Sequence, residues 1–220
     1  LTKYNFNSFD VTSAASKALG FNASANGFTT IDPGSMTHIK TLTASSSGTL
    51  DFLNGSDSVV FDSTYPVYRF VFTNIHLATN GQYLSFQADT GTNTSYNQTI
   101  TSTLFKAYHK EDGAAAALGY DTGSDQAQGT AFQRLSSDLI TNNDGSISGS
   151  LMIFNPSSST FVKHFMSEAN TMVDGSPPYT EVRYYAGYFN TTTALTRVQF
   201  KSTSGDIDSG TFKLYGIKDS

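Results

Sequence analysis

The chain has 220 residues, enough for one all-β domain with a sizeable core, and no Cys with which to staple it. Only 14% of residues are charged, the formal net charge is −5 and no basic block occurs. This argues against nucleic-acid binding, which needs clustered Lys and Arg, and no apolar run approaches the roughly 20 residues that span a bilayer. The first 35 residues scatter aromatics (Tyr4, Phe6, Phe9, Phe21, Phe28) among Asn, Ser and Ala. Residues 1–35 read as an extended arm that lays Phe side chains onto something else, or as an irregular strand and loop of the same domain. Ser13 to Leu19 reads as a short helical turn stopped by Gly20.

From residue 36 to 220 strand signals recur. They fall at Thr37–Ala44, Thr49–Leu53, Val67–Leu77, Tyr83–Ala88, Gln98–Lys110, Ala131–Ile140, Ser146–Phe154, Phe161–Ala169, Thr180–Phe189, Leu195–Thr203 and Gly210–Ile217. Asn-Gly, Asp-Gly and Ser-Gly pairs separate many of them, among them Asn54-Gly55, Asn80-Gly81, Asp112-Gly113 and Ser204-Gly205. The pattern predicts an antiparallel β-sandwich, jelly-roll-like. Phe212 and Leu214 share one face of their segment and Thr211 and Lys213 the other, as a half-buried strand requires. Between the strands, Lys110 to Thr130 breaks the rhythm, with one helical turn at Ala114–Leu118 and a long loop after it.

Two segments carry apolar residues on both sides. A period of two places Val67, Val71, Ile75 and Leu77 on one face and Tyr68, Phe70 and Phe72 on the other. In Thr180–Phe189, Tyr184 and Tyr188 oppose Tyr185 and Phe189. A strand apolar on both faces has to be covered on both. The sandwich core is one cover, and the arm or another copy is the second. The expected assembly interface is therefore Phe6, Phe9, Tyr68, Phe70, Phe72 and Tyr185, and the expected partners are further copies of the chain, in a trimer before other numbers. The alternative is that these tyrosines lie along the surface with wet hydroxyls.

Several runs carry a resemblance. They are Ile39-Lys40-Thr41-Leu42-Thr43-Ala44, Tyr68-Arg69-Phe70-Val71-Phe72-Thr73-Asn74-Ile75-His76, Phe105-Lys106-Ala107-Tyr108-His109, Phe161-Val162-Lys163-His164-Phe165 and Ala186-Gly187-Tyr188-Phe189-Asn190-Thr191-Thr192. With the terminal Ser209-Gly210-Thr211-Phe212-Lys213-Leu214-Tyr215-Gly216-Ile217, the chain resembles virion structural proteins of marine bacteriophages over roughly residues 37 to 218. The resemblance implies a fibre, knob or decoration component on the particle exterior, with other virion proteins as partners. It brings no catalytic or ligand residues.

Chemistry is sparse. The chain has three Glu, and of these Glu168 and Glu181 sit near the ends of adjacent predicted strands, where they are the one candidate pair for glycoside hydrolysis. No Gly-x-Ser-x-Gly elbow and no His-x-x-x-His pair occurs. No cofactor is expected, with Ca²⁺ the one candidate, at Asp121 and Asp125 in a Gly-rich loop. Tyr179, Tyr184 and Tyr188 are candidate glycan-stacking residues, which makes host-surface polysaccharide a second expected partner. The expected function is therefore a non-catalytic virion-surface protein, with no membrane insertion. The alternatives are a carbohydrate-binding module and a sandwich enzyme that degrades polysaccharide.

Overall fold

The structure, a computed structural model, describes residues 18–21, 24, 28–31 and 34–219, and only the backbone of residues 18, 19 and 29–31. It contains β1 (Ala18–Phe21), β2 (Phe28–Ile31), β3 (Met36–Ser47), β4 (Leu50–Leu53), β5 (Val67–Leu77), β6 (Leu84–Thr90) and β7 (Ile100–Lys110). After these come β8 (Ala116–Gly119), β9 (Gln133–Arg134), β10 (Ile147–Phe154), β11 (Lys163–Val173), β12 (Tyr179–Phe189), β13 (Leu195–Ser202) and β14 (Ile207–Ile217).

The larger sheet runs β3-β14-β5-β10-β11-β12-β7-β8 and the smaller β4-β13-β6-β9, and all pairs are antiparallel. The chain is an all-β sandwich, as its turn-separated strands predict. β1 and β2 form a separate two-stranded hairpin inside the predicted arm, where the rings of Phe21 and Phe28 stack at 5.1 Å. Ala18 and Leu19 therefore lie in a strand and not in the expected helical turn; residues 13–17, like Phe6 and Phe9, lie outside the described residues.

The core is aromatic. Phe86 and Phe200 of the smaller sheet reach between Phe70, Phe165, Phe189 and Phe212 of the larger one, with ring centroids 4.9–6.3 Å apart. Edge-to-face and tilted pairs of this kind add about 0.5–1.5 kcal/mol beyond burial. Tyr68, Phe70 and Phe72 are each 0% exposed in this core, which corrects their assignment to an interface between copies. The physical reason is a β-bulge. Ile147 of β10 pairs Ile75 and Gly149 pairs Phe72, so Thr73 and Asn74 together oppose one residue of β10. Asn74 takes up the turn at φ +52°. The extra residue flips the phase, so Ile75 and Leu77 join Tyr68, Phe70 and Phe72 inside while Thr73 and Asn74 are both exposed.

Both faces of β6, in the middle of the smaller sheet, are buried. Leu84, Phe86 and Ala88 of β6 enter the core, while Ser85, Gln87 and Asp89 point away from it and are equally buried, under loops. Gln87 Nε2 donates to the carbonyls of Gln98, Thr130 and Ala131 at 3.0–3.3 Å. Asp89 accepts from the amides of Thr90 and Tyr96 and the side chains of Asn93 and Gln98 at 2.8–2.9 Å. Buried polar groups are stable only when partnered, and here the partners are the loops themselves.

Candidate functional site

On the opposite side of the molecule, large apolar side chains stand exposed. The outward face of the larger sheet follows from register. Met152 of β10 lies directly across from Met166 of β11. Met166 faces Ala186 of β12, while Glu168 faces Tyr184, which in turn faces Phe105 of β7. Phe105 is 52% exposed, Met166 50% and Tyr184 38%. The rings of Phe105 and Tyr184 stack at 4.8 Å with 19° between their planes. A shallow depression of about 470 Å³ lies next to them, lined by Phe154, His164, Met166, Ala186 and Tyr188. Arg69 reaches across the same face, donating to Ser150 Oγ at 3.3 Å, and its Nε has no hydrogen-bond partner among the described residues.

Of the glycan candidates, Tyr184 and Tyr188 share this open face. Tyr179 belongs to the other face of β12, where its ring meets that of Tyr108 at 5.5 Å. Three tyrosines on one strand are therefore divided by the pleat, and they do not form a single platform.

The inward face of the same strand is ionic. Glu181, Arg183 and Tyr185 alternate with outward residues and are 1–3% exposed. Arg183 uses all five of its donors. Nε goes to Glu181 at 2.6 Å, Nη1 to Ser124 Oγ and the Tyr185 hydroxyl at 2.8 and 3.2 Å, and Nη2 to Asp121 and Ser137 Oγ at 3.1 and 3.4 Å. Lys106 of β7 closes the group, 3.4 Å from Glu181 and 3.8 Å from Asp121. Two cations and two carboxylates pin the segment that begins at Tyr120 against β12 and β7, beyond the edge of the smaller sheet. Tyr185 is therefore part of this internal network and not of an interface between copies, which corrects the second half of the expected assembly face. Burial raises its phenol above the ordinary range, although Arg183 opposes the shift.

Of the two calcium candidates, this network engages Asp121. Asp121 accepts from the Gly123 amide and Ser124 Oγ, both at 3.1 Å, besides its two cations. Burial on its own would raise its carboxyl, but the Gly123 amide, Arg183, Ser124 and Lys106 outweigh it and hold the group below the usual carboxylate range. Asp125 accepts from the Tyr120 hydroxyl at 2.5 Å, so the two carboxylates serve separate partners. Among the described residues no group of three or more His, Cys, Asp or Glu converges on one point.

The carboxylate pair considered for hydrolysis is not assembled. Glu168 is exposed on the outward face, opposite Tyr184, and Glu181 is buried on the inward one. The sheet lies between them, so they do not flank a common bond. The residues that sequence reading missed are Phe105, Met152 and Met166. For Met166 the signal was present in the alternation of β11, where His164, Met166 and Glu168 occupy the side opposite Phe165 and Ala169. No family model matches the chain, and no curated protein and no solved structure matches it either.

Proposed function

We propose that the chain is a non-catalytic surface component of a bacteriophage particle, of fibre, knob or decoration type, that assembles with further copies of itself through the open face of the larger sheet. The observation that carries this reading is the exposed trio Phe105, Tyr184 and Met166, with half-buried Met152 and Phe154 beside it. Four neighbouring strands, from β10 to β7, of up to 11 residues present these side chains. At about 4.8 Å between strands and 3.4 Å per residue, that region is at most roughly 19 by 35 Å, or about 670 Å², a little below the roughly 800 Å² that one partner contributes to an interface of standard size. Aromatic, Met and Arg side chains are the types enriched in such interfaces. The low charge of the chain keeps repulsion between copies small. The particle setting comes from the resemblance of residues 37–218 to virion proteins.

Multi-angle light scattering behind size exclusion tests the assembly step. The expected result is a defined oligomer, a trimer first, that becomes a monomer in the double variant Phe105→Glu, Met166→Glu while the far-ultraviolet spectrum stays unchanged. A parent chain that remains monomeric across the accessible concentration range overturns the reading.

A further inference from the structure

A second feature lies on the other sheet, away from the open face, and does not depend on the assembly reading. Register places Lys201 of β13, Ser85 of β6 and Arg134 of β9 side by side in one row across the smaller sheet. Ser85 is short and fully buried, with its hydroxyl donating to the Lys201 carbonyl at 2.9 Å. Two long cationic side chains thus flank a short one. The space left between them is a depression of about 380 Å³, whose wall also carries Phe132, Thr203, Ser124 and Asp125. A volume of that order is within the range of small-molecule sites, about 300–1,000 Å³.

Each cation is held in place without being neutralised. The Lys201 ammonium lies 3.9 Å over the ring of Phe132 and the Arg134 guanidinium 4.0 Å over the ring of Tyr83. A ring face restrains a cation but leaves its formal charge uncompensated. Among the described residues neither Lys201 nor Arg134 joins an ion pair, whereas Lys40, Lys106 and Arg183 all do. Arg134 has one further side-chain contact, Nη1 to Ser124 Oγ at 3.5 Å. With Asp125 counted against them, the two cations leave one net positive charge in this depression, on a chain whose total is −5.

We propose that this row is a binding subsite for an anionic sugar residue, a uronate or a sulfated hexose unit of a polysaccharide. The negative group sits between Lys201 and Arg134. The sugar hydroxyls meet Thr203 and the Asp125 carboxylate, and the C–H edge of the sugar ring meets Phe132. An inorganic anion uses only the first of these contacts, while a neutral sugar leaves the two cations unmatched.

Isothermal titration with trigalacturonate, a sulfated galactan trisaccharide, cellotriose and inorganic sulfate tests the proposal. The expected result is saturable binding of at least one anionic trisaccharide, no binding of cellotriose, and at least a tenfold loss of affinity between about 50 and 300 mM NaCl, as screening of the two cations requires. Lys201→Met and Arg134→Gln each weaken that binding at least tenfold, and Lys201→Arg retains it. Lys213→Gln, on the larger sheet, leaves it unchanged. The thermal midpoint of each variant is read alongside, so that lost binding is not confused with lost folding. The proposal is overturned if neither anionic trisaccharide binds, if cellotriose binds as well as they do, if sulfate alone competes at equal concentration, or if both charge-removing variants bind like the parent. Since the oligomer test is read on the other sheet, either result can fail without the other.

Discussion

Arg183 illustrates what one buried side chain contributes. Its five donors meet Glu181, Asp121, Ser124, Ser137 and Tyr185, so its removal leaves Glu181 buried with Lys106 as the nearest remaining cation. Breaking a buried pair from one side costs about 3–5 kcal/mol. We therefore expect Arg183→Met to lower the urea midpoint by that equivalent. Arg183→Lys should rescue little of it, since an ammonium has three donors and no planar fork. The carboxylates of the network also give acid stability a sign. The carboxyls of Asp121 and Asp62 are both held below the ordinary value of 3.8, the latter first by the Thr64 amide. A depressed carboxyl stabilises the fold above its unfolded pKa, and that contribution is lost as pH falls through the folded value. Stability should thus fall below about pH 4, and Asp121→Asn should flatten that fall in acid-unfolding curves. The phenols behave in the opposite sense. Burial pushes Tyr68 up to about 12 and also raises Tyr96, Tyr179 and Tyr185. Their neutral forms favour the fold, so stability present below pH 10 is lost as pH rises above it. Absorbance at the phenolate band should show these tyrosines ionising late, together with the loss of near-ultraviolet dichroism.

At the scale of the strand, one residue changed the meaning of a whole segment. Alternation read correctly through β14, where Phe212 and Leu214 are buried and Lys213 is exposed. It failed in β5 because nothing in the order Phe72-Thr73-Asn74-Ile75 announces a bulge before the partner strand is known, beyond an Asn able to adopt φ +52°. Ile75 and Leu77, half of the apparent second apolar face of β5, belong to the inward face seen in the wrong phase, while Val67 and Val71 stay half-buried on the outward one. Gly210 of β14 marks the same place from the other side. It has φ +118°, and a Cβ there would lie 2.7 Å from the Asn74 carbonyl oxygen and 2.7 Å from Ile75 Cδ1. Gly210→Ala should therefore cost about 1–3 kcal/mol in chemical denaturation, from strained φ and from a contact with backbone that cannot move aside. Local propensity misled twice more. Ala114–Leu118 suggested a helical turn, yet Ala116–Gly119 pairs with β7 across the Asp112-Gly113 turn, where an open edge offers hydrogen bonds that a lone turn lacks. Ala131–Ile140 suggested a full strand, yet only Gln133 and Arg134 pair as one, because Gln133, Ser136 and Ser137 are used as buried hydrogen-bonding groups. The fold class was thus legible from turns and alternation. The candidate faces were not, since they depend on register between distant strands.

On the whole molecule, the two sheets are finished differently. The smaller one is closed by loops fastened to Gln87 and Asp89, whereas the larger one leaves Phe105, Met166 and Tyr184 open to water. Met152 and Met166 lie opposite each other in the middle strands of that face, and the loop-fastening groups Thr101 and Thr103 stand at its β7 side, where they hold Gln128 and Tyr120. If the missing cover is another copy, association and folding are linked, because a partner that binds only the folded state stabilises it by mass action. Each tenfold rise in concentration beyond the dissociation constant then adds about 1.4 kcal/mol per association step, which for a chain of this size raises the thermal midpoint by roughly 2–5 °C. Differential scanning fluorimetry across a hundredfold dilution should show this slope in the parent chain. It should vanish in Phe105→Glu, Met166→Glu, whose midpoint should match that of the most dilute parent, because both positions are half exposed and lie outside the core. A parent midpoint independent of concentration would mean that the open face is left uncovered by copies of this chain.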